Sequence, residues 1–170
     1  MIQLNKDSQQ YEWSGVNLND LASEFGTPLY VYDAATITNQ FRKLQSAFSG
    51  VRTRLHYACK ANSNISIMKL LKEEGAGLDA VSIEEVHLGL FSGFAPADII
   101  YTPNSVDFSE IQEAVELGVR VNIDNLRILE QFGMQYGNTY PCCIRINPHI
   151  MAGGHAQISV GHIDSKFGIS

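Results

Sequence analysis

From about residue 54 onward the chain repeats one unit: a short apolar run, a polar or glycine-bearing turn, and a segment with helical spacing. With strand ends at Lys60, Asp79, Tyr101, Ile123 and Ile146, the differences between successive positions are 19, 22, 22 and 23 residues. That is the length of a minimal strand-loop-helix unit. The runs at 77–81, 98–101, 119–123 and 142–146 are short and mostly uninterrupted apolar stretches. Such runs suit strands covered on both faces, and hence a parallel sheet.

The helical segments carry their own punctuation. Ile65, Met68, Leu70 and Leu71 form one face that stops at Gly75, and Val86, Leu88, Leu90 and Phe91 form the next, ended by Gly93. Ser82 and Glu85 make a capping box, so a helix is expected to start directly after the second strand. Ser109 is expected to cap a helix bearing Ile111, Ala114, Val115 and Leu117 that Gly118 closes. Asn125 is expected to cap one bearing Leu126, Leu129 and Phe132.

Five such units do not close a barrel of eight. The fold expected is α/β, the first five strand-helix units of a (β/α)8 barrel, with a complete five-strand open sheet as the alternative. Residues 1–33 read as a lead-in to a barrel portion that spans 34–170: 11–20 is polar, Thr27-Pro28 marks a turn, and 29–33 is an expected strand before a helix at about 34–48. Residues 147–170 hold Pro148, Gly153, Gly154, Gly161 and Gly168 without a clear period, a long loop after the fifth strand.

Composition narrows the partners. Hydrophobic residues make up 45% and charged residues 18% of the 170, which is globular, and no apolar run is long enough to span a bilayer. The first residues lack the apolar core of a secretory leader, so a cytoplasmic location is expected. Cys59 stands alone and Cys142 and Cys143 are adjacent, a pattern that gives no disulfide framework. A formal net charge of −6 with no basic block argues against nucleic acid and for a small-molecule partner.

Alternation in the first repeat strand puts His56, Ala58 and Lys60 on one face and Leu55, Tyr57 and Cys59 on the other. In a barrel, Lys60 would then point inward at the C-terminal mouth, where barrel enzymes build their sites, with small Ala58 leaving room beneath it. A lysine so placed can have its charge adjusted by its surroundings, and its neutral amine is a nucleophile for aldehydes. From position alone it can equally be a lysine in a strand-to-helix loop.

Tyr57-Ala58-Cys59-Lys60-Ala61-Asn62 resembles the Tyr-Ala-x-Lys-Ala-Asn signature of the fold-type III pyridoxal-phosphate enzymes, the alanine racemase and group IV decarboxylase superfamily. Gly77-Leu78-Asp79-Ala80-Val81-Ser82 with Glu85 is similar to that superfamily's Gly-x-Asp-Val-x-Ser-x-x-Glu segment. Asn147-Pro148 and the run Gly161 to Ile169, with Ser165-Lys166-Phe167-Gly168-Ile169, resemble segments of the diaminopimelate decarboxylase family in particular. The resemblance spans about residues 27 to 170. It implies pyridoxal 5'-phosphate as cofactor, Lys60 as its Schiff-base lysine, and Asp79 and Arg145 as further cofactor-binding residues. It also implies decarboxylation of meso-2,6-diaminopimelate to L-lysine in a homodimer. Ornithine, arginine and carboxynorspermidine decarboxylases, or a non-catalytic cofactor-binding relative, are the alternatives. In that family the phosphate-binding glycine loop, the carboxylate at the ring nitrogen and the carboxylate-excluding face come from later strands. A cysteine and other substrate residues come from a C-terminal β domain.

On the residues alone, Asp79 could instead cap the following helix, and Arg145 could be an ordinary ion-pair partner. Three positions depart from the family pattern. Ile83 and Glu84 stand where many relatives have Gly-Gly, which would set the helix start back from its neighbour, and Val160 stands where threonine is common. His149, His155, His162 and Asp164 match no compact metal spacing, so no metal is expected and His155 is read as part of a loop over the cofactor pocket.

Overall fold

The computed structural model describes residues 2–150, 161 and 165–170. The chain forms two compact units, Met1–Ala47 and Phe48–Ser170.

In the first unit, β1 (Gln3–Asn5), β2 (Gln10–Trp13) and β3 (Val16–Asn17) make an antiparallel sheet followed by α1 (Leu18–Phe25) and α2 (Ala34–Ala47). The polar stretch at 11–20 thus carries most of β2, all of β3 and the start of α1. Ser14-Gly15 is a two-residue hairpin turn with both residues at positive φ, 51° and 81°. That conformation matches the twist of the flanking strands, and serine-glycine is a signal for it. The strand expected at 29–33 does not form. Among the described residues no ladder pairs with it, and Tyr30 is 86% exposed; strand propensity without a partner strand leaves extended chain only. Asp33 ends that stretch and accepts from the Ala35 and Thr36 amides at 2.9 and 3.3 Å, which starts α2. Hydrogen bonds from the Ser14 and Thr36 hydroxyls hold the Asp33 carboxyl below the usual range.

The second unit is a parallel sheet in sequential order: β4 (His56–Ala58), β5 (Gly77–Ala80), β6 (Ile99–Tyr101), β7 (Arg120–Ile123) and β8 (Cys142–Ile144). Helices α3 (Ile65–Glu73), α4 (Ile83–Phe91), α5 (Phe108–Glu116) and α6 (Leu126–Tyr136) connect successive strands. This is the expected strand-helix repeat. Helices cover one face of the sheet rather than both. Leu78, Ala80, Ile99, Tyr101, Val121 and Ile123 point into the core with Met68, Val86, Ile111 and Ala114, while the alternate residues Asp79, Ile100 and Asn122 are only partly covered. That alternation is how the inward face of an unclosed barrel reads.

Caps explain the helix starts. Ser82 accepts from the Glu85 amide at 3.3 Å, and the Glu85 carboxylate reaches back to the Val81 amide at 2.8 Å, one residue beyond the usual partner of a capping box. Asn125 caps α6 through the Ile128 amide at 2.9 Å, and Asn64 caps α3 through the Ser66 and Ile67 amides. Ser109 does not cap α5. The helix begins at Phe108, so Asp107 is the capping position and Ser109 lies in the first turn. The face of α4 also differs: Ile83, Val86 and Gly89 are buried, while Phe91 is 72% exposed. Gly89 is why. A side chain there would collide with Leu78, so α4 lies against the sheet at its glycine and rolls Phe91 outward. Buried Ile83, one of the three departures from the family pattern, is a core residue here.

The segment after β8 is not loop throughout. The Asn147 amide donates to Ile169 O at 2.7 Å and the Ile169 amide to Arg145 O at 2.8 Å, a parallel bridge in the position of a sixth strand. Among the described residues no helix is long and apolar enough to cross a membrane.

Candidate functional site at the strand ends

Parallel strands all present their carboxyl ends on one side, and open α/β sheets and barrels bind ligands there. In this sheet those ends form a cleft of about 360 Å³ lined by Lys60, Asp79, Val81, Thr102, Asn104, Arg145 and Phe167. The three residues singled out in the sequence thus come together from the ends of three different strands, Asp79 within β5 and Lys60 and Arg145 just after β4 and β8.

Lys60 is not the last residue of its strand. β4 ends at Ala58, and Cys59–Ala61 form a single 3-10 turn that carries Lys60 exposed at the cleft. The local sequence builds that turn from both sides. Cys59 is fully buried with its Sγ 3.8 Å from Met68 Sδ, and the Tyr57 hydroxyl donates to Asn62 O at 2.8 Å across the turn. Asn62 in turn accepts from the Asn64 amide at 3.0 Å, which leads into the cap of α3. The tyrosine, cysteine and asparagine around Lys60 therefore fix the backbone from which it projects.

Asp79 lies in register with Ala58 on β4 and Ile100 on β6. It does not cap α4, a role taken by Ser82; its Oδ1 accepts from Thr102 Oγ1 at 2.7 Å. Arg145 continues the β8 ladder by one bond, its amide donating to Ile123 O at 2.8 Å. Its guanidinium carbon sits 4.5 Å from the centre of the Phe167 ring, with Lys166 Nζ 5.2 Å from the same ring. Among the described residues no carboxylate pairs with Arg145, and the contact of its guanidinium is with the Phe167 ring.

Thr102, Asn104 and Phe167 were not singled out as site residues. Thr102 and Asn104 follow β6 as Lys60 follows β4, so the strand-end rule applied evenly would have found them. Asn104 donates to Asp124 Oδ2 at 2.6 Å and to Lys166 O at 3.2 Å, which ties the 165–168 segment to the mouth of the sheet. Phe167 is a motif residue whose position against Arg145 depends on a return of the chain that no local pattern encodes. Among the described residues no group of three metal-ligating side chains converges, and His155, His162, Asp164 and Val160 lie outside those residues.

The donor set is one accessible primary amine, one carboxylate, one guanidinium, a hydroxyl, a carboxamide and an aromatic face. It fits a ligand that combines an aldehyde, a polar ring and anionic groups: amine for the aldehyde, guanidinium and amide donors for the anions. These charge types suit an organic cofactor.

Comparison with known proteins gives the same chemistry. Residues 34–170 match the family described as pyridoxal-dependent decarboxylase, pyridoxal binding domain. The diaminopimelate decarboxylase of Methanothermobacter thermautotrophicus is 42% identical over 157 residues, which is 91% of this chain and 37% of that protein. The Helicobacter pylori diaminopimelate decarboxylase is 36% identical over 90% of this chain and 39% of its own length. A crystal structure of diaminopimelate decarboxylase from Helicobacter pylori complexed with L-lysine superposes with a TM-score of 0.82 at 35% identity, covering 90% of this chain and 40% of that one. The lysine/ornithine decarboxylase of Vibrio vulnificus, complexed with putrescine, gives a TM-score of 0.64 at 30% identity over 70% of this chain and 32% of that one. The chain thus spans about two fifths of the length of the diaminopimelate decarboxylases it matches.

Proposed function

This chain belongs to the pyridoxal-dependent decarboxylases through their pyridoxal-binding domain, and from that premise we propose that it carries the Schiff-base part of an enzyme converting meso-2,6-diaminopimelate to L-lysine and CO2. The observation that carries the proposal is the convergence of Lys60, Asp79 and Arg145 on one cleft at the strand ends. For the substrate, support comes from the relatives named diaminopimelate decarboxylase, which match about nine tenths of the chain, against 70% for the lysine/ornithine decarboxylase.

In this reading Lys60 holds the cofactor covalently through Nζ, the role its accessible amine on a fixed turn suits. Bound pyridoxal phosphate supplies the electron sink for the pair left on the α-carbon when CO2 departs. Arg145, over the Phe167 ring, presents donors to an anionic group of the cofactor or substrate. Asp79 presents a carboxylate to the same cleft, and Asn104 ties the 165–168 segment to the mouth of the sheet. Residues 34–170 are assigned to the barrel and 1–33 to association with the β domain of the longer relatives, a division supported by the family match beginning at residue 34. The proposal includes a homodimer in the cytoplasm.

The test uses the protein at its native length. CO2 release and lysine formation from meso-diaminopimelate are expected. Turnover of ornithine, arginine or carboxynorspermidine with none of diaminopimelate would reject the substrate, and cofactor binding with no turnover of any of them would reject the enzyme.

A further inference from the structure

We propose that Thr102 is a positioning residue for Asp79, holding its carboxylate in one orientation at the cleft; the proposal rests on reading Lys60, Asp79 and Arg145 as the cofactor site. Asp79 pairs in register with Ile100, and side chains alternate along a strand, so Thr102, two residues on, emerges on the same face one step nearer the mouth. That step places Thr102 Oγ1 2.7 Å from Asp79 Oδ1. Among the described residues this is the sole hydrogen bond to the Asp79 side chain, and Oδ2 remains for the cleft.

The donor itself is preset. The Thr102 amide donates to Ala80 O at 2.7 Å, which ties the backbone of the donor to the strand that carries the acceptor. Its β-branched side chain has few rotamers to choose from, whereas a carboxylate without a partner samples several. Pro103, the next residue, is buried, and Asn104 donates to Asp124 at 2.6 Å. Two of the three residues after β6 thus fasten two acidic side chains at the strand ends, Asp79 through Thr102 and Asp124 through Asn104. Asp79 is the one that lines the cleft with Lys60.

The experiment compares Thr102→Val, Thr102→Ser, Asp79→Asn and the double variant Thr102→Val/Asp79→Asn at native length. Its readouts are the dissociation constant of pyridoxal phosphate, the absorbance of the bound form and the site of borohydride trapping. Thr102→Val is expected to weaken retention about tenfold, and Thr102→Ser, which keeps the hydroxyl, to stay within about twofold of wild type. In the Asp79→Asn background Thr102→Val is expected to add less than about twofold, because its effect passes through Asp79. Thr102→Ala takes the place of Thr102→Val if the latter does not fold. Wild-type retention in Thr102→Val, an equal loss in Thr102→Ser, or an additive loss in the double variant would overturn the proposal. Trapping of wild type at a residue other than Lys60 would instead overturn the cofactor site, and the proposal with it.

Discussion

Cys59 and Lys60 are neighbours with opposite surroundings, and the contrast is what one 3-10 turn provides: the thiol is fully buried against Met68 while the amine is exposed at the cleft. Burial, with a smaller contribution from the Glu85 charge, pushes the Cys59 thiol up to about 11. A raised thiol holds its proton, so at pH 8 the reactive thiolate of Cys59 is scarcer than that of an ordinary cysteine. Burial also raises Cys142, and Cys143 is exposed. Iodoacetamide at pH 8 followed by peptide mass mapping is therefore expected to label Cys143 first and to leave Cys59 unmodified until the protein unfolds. Prompt labelling of Cys59 in the folded protein would contradict the packing of the turn. At this scale the sequence exposed Lys60, Asp79 and Arg145 because they sit in recognisable local segments. The strand-end position of Thr102 and Asn104 was readable, but their bonds were not, because the partners Asp79, Asp124 and Lys166 are 20 to 62 residues away. Bonds of that kind are set by strand register, which no single segment contains.

Among the elements, helix α4 depends on a glycine and α6 merely tolerates one. Both gain from Gly→Ala by helix propensity, about 1 kcal/mol. At Gly133 an added Cβ meets nothing within 4 Å, so Gly133→Ala is expected to stabilise by roughly 0.5–1 kcal/mol in urea unfolding. At Gly89 it would strike Leu78, which is fully buried, and come within 3.1 Å of Ile99 Cδ1. Overpacking there costs on the order of 1–3 kcal/mol, so Gly89→Ala is expected to be neutral to destabilising. A stabilised Gly89→Ala would mean that α4 does not rest on the sheet at this point. The same principle governs the caps. Ser82→Ala should cost about 1 kcal/mol and Ser109→Ala a few tenths at most, since only Ser82 bonds an orphan amide. Strand and helix order was legible because the apolar periodicity is strong and the glycine stops are regular. The hairpin at β2–β3 was not, because its strands are polar and short, and the false strand at 29–33 arose from apolar residues that find no partner.

For the whole molecule, the parallel sheet with helices on one face supplies the strand ends on which the cleft is built. The chain spans about two fifths of the length of the relatives it matches, so the 170-residue chain alone is expected to release no CO2 from meso-diaminopimelate above background. Measurable release would contradict the view that residues beyond these complete the reaction. The barrel character was readable from the 19-to-23-residue repeat; the parallel bridge of Ile169 to Ile146 was not, since it is a single pairing across a glycine-rich stretch. The central claim is that Lys60 carries the cofactor. Borohydride reduction of the native-length holoprotein, followed by proteolysis and mass spectrometry, is predicted to find the pyridoxyl mass on the peptide containing Lys60 and to find no such adduct in Lys60→Ala. A pyridoxyl group on any other lysine, or its persistence in Lys60→Ala, would contradict the account.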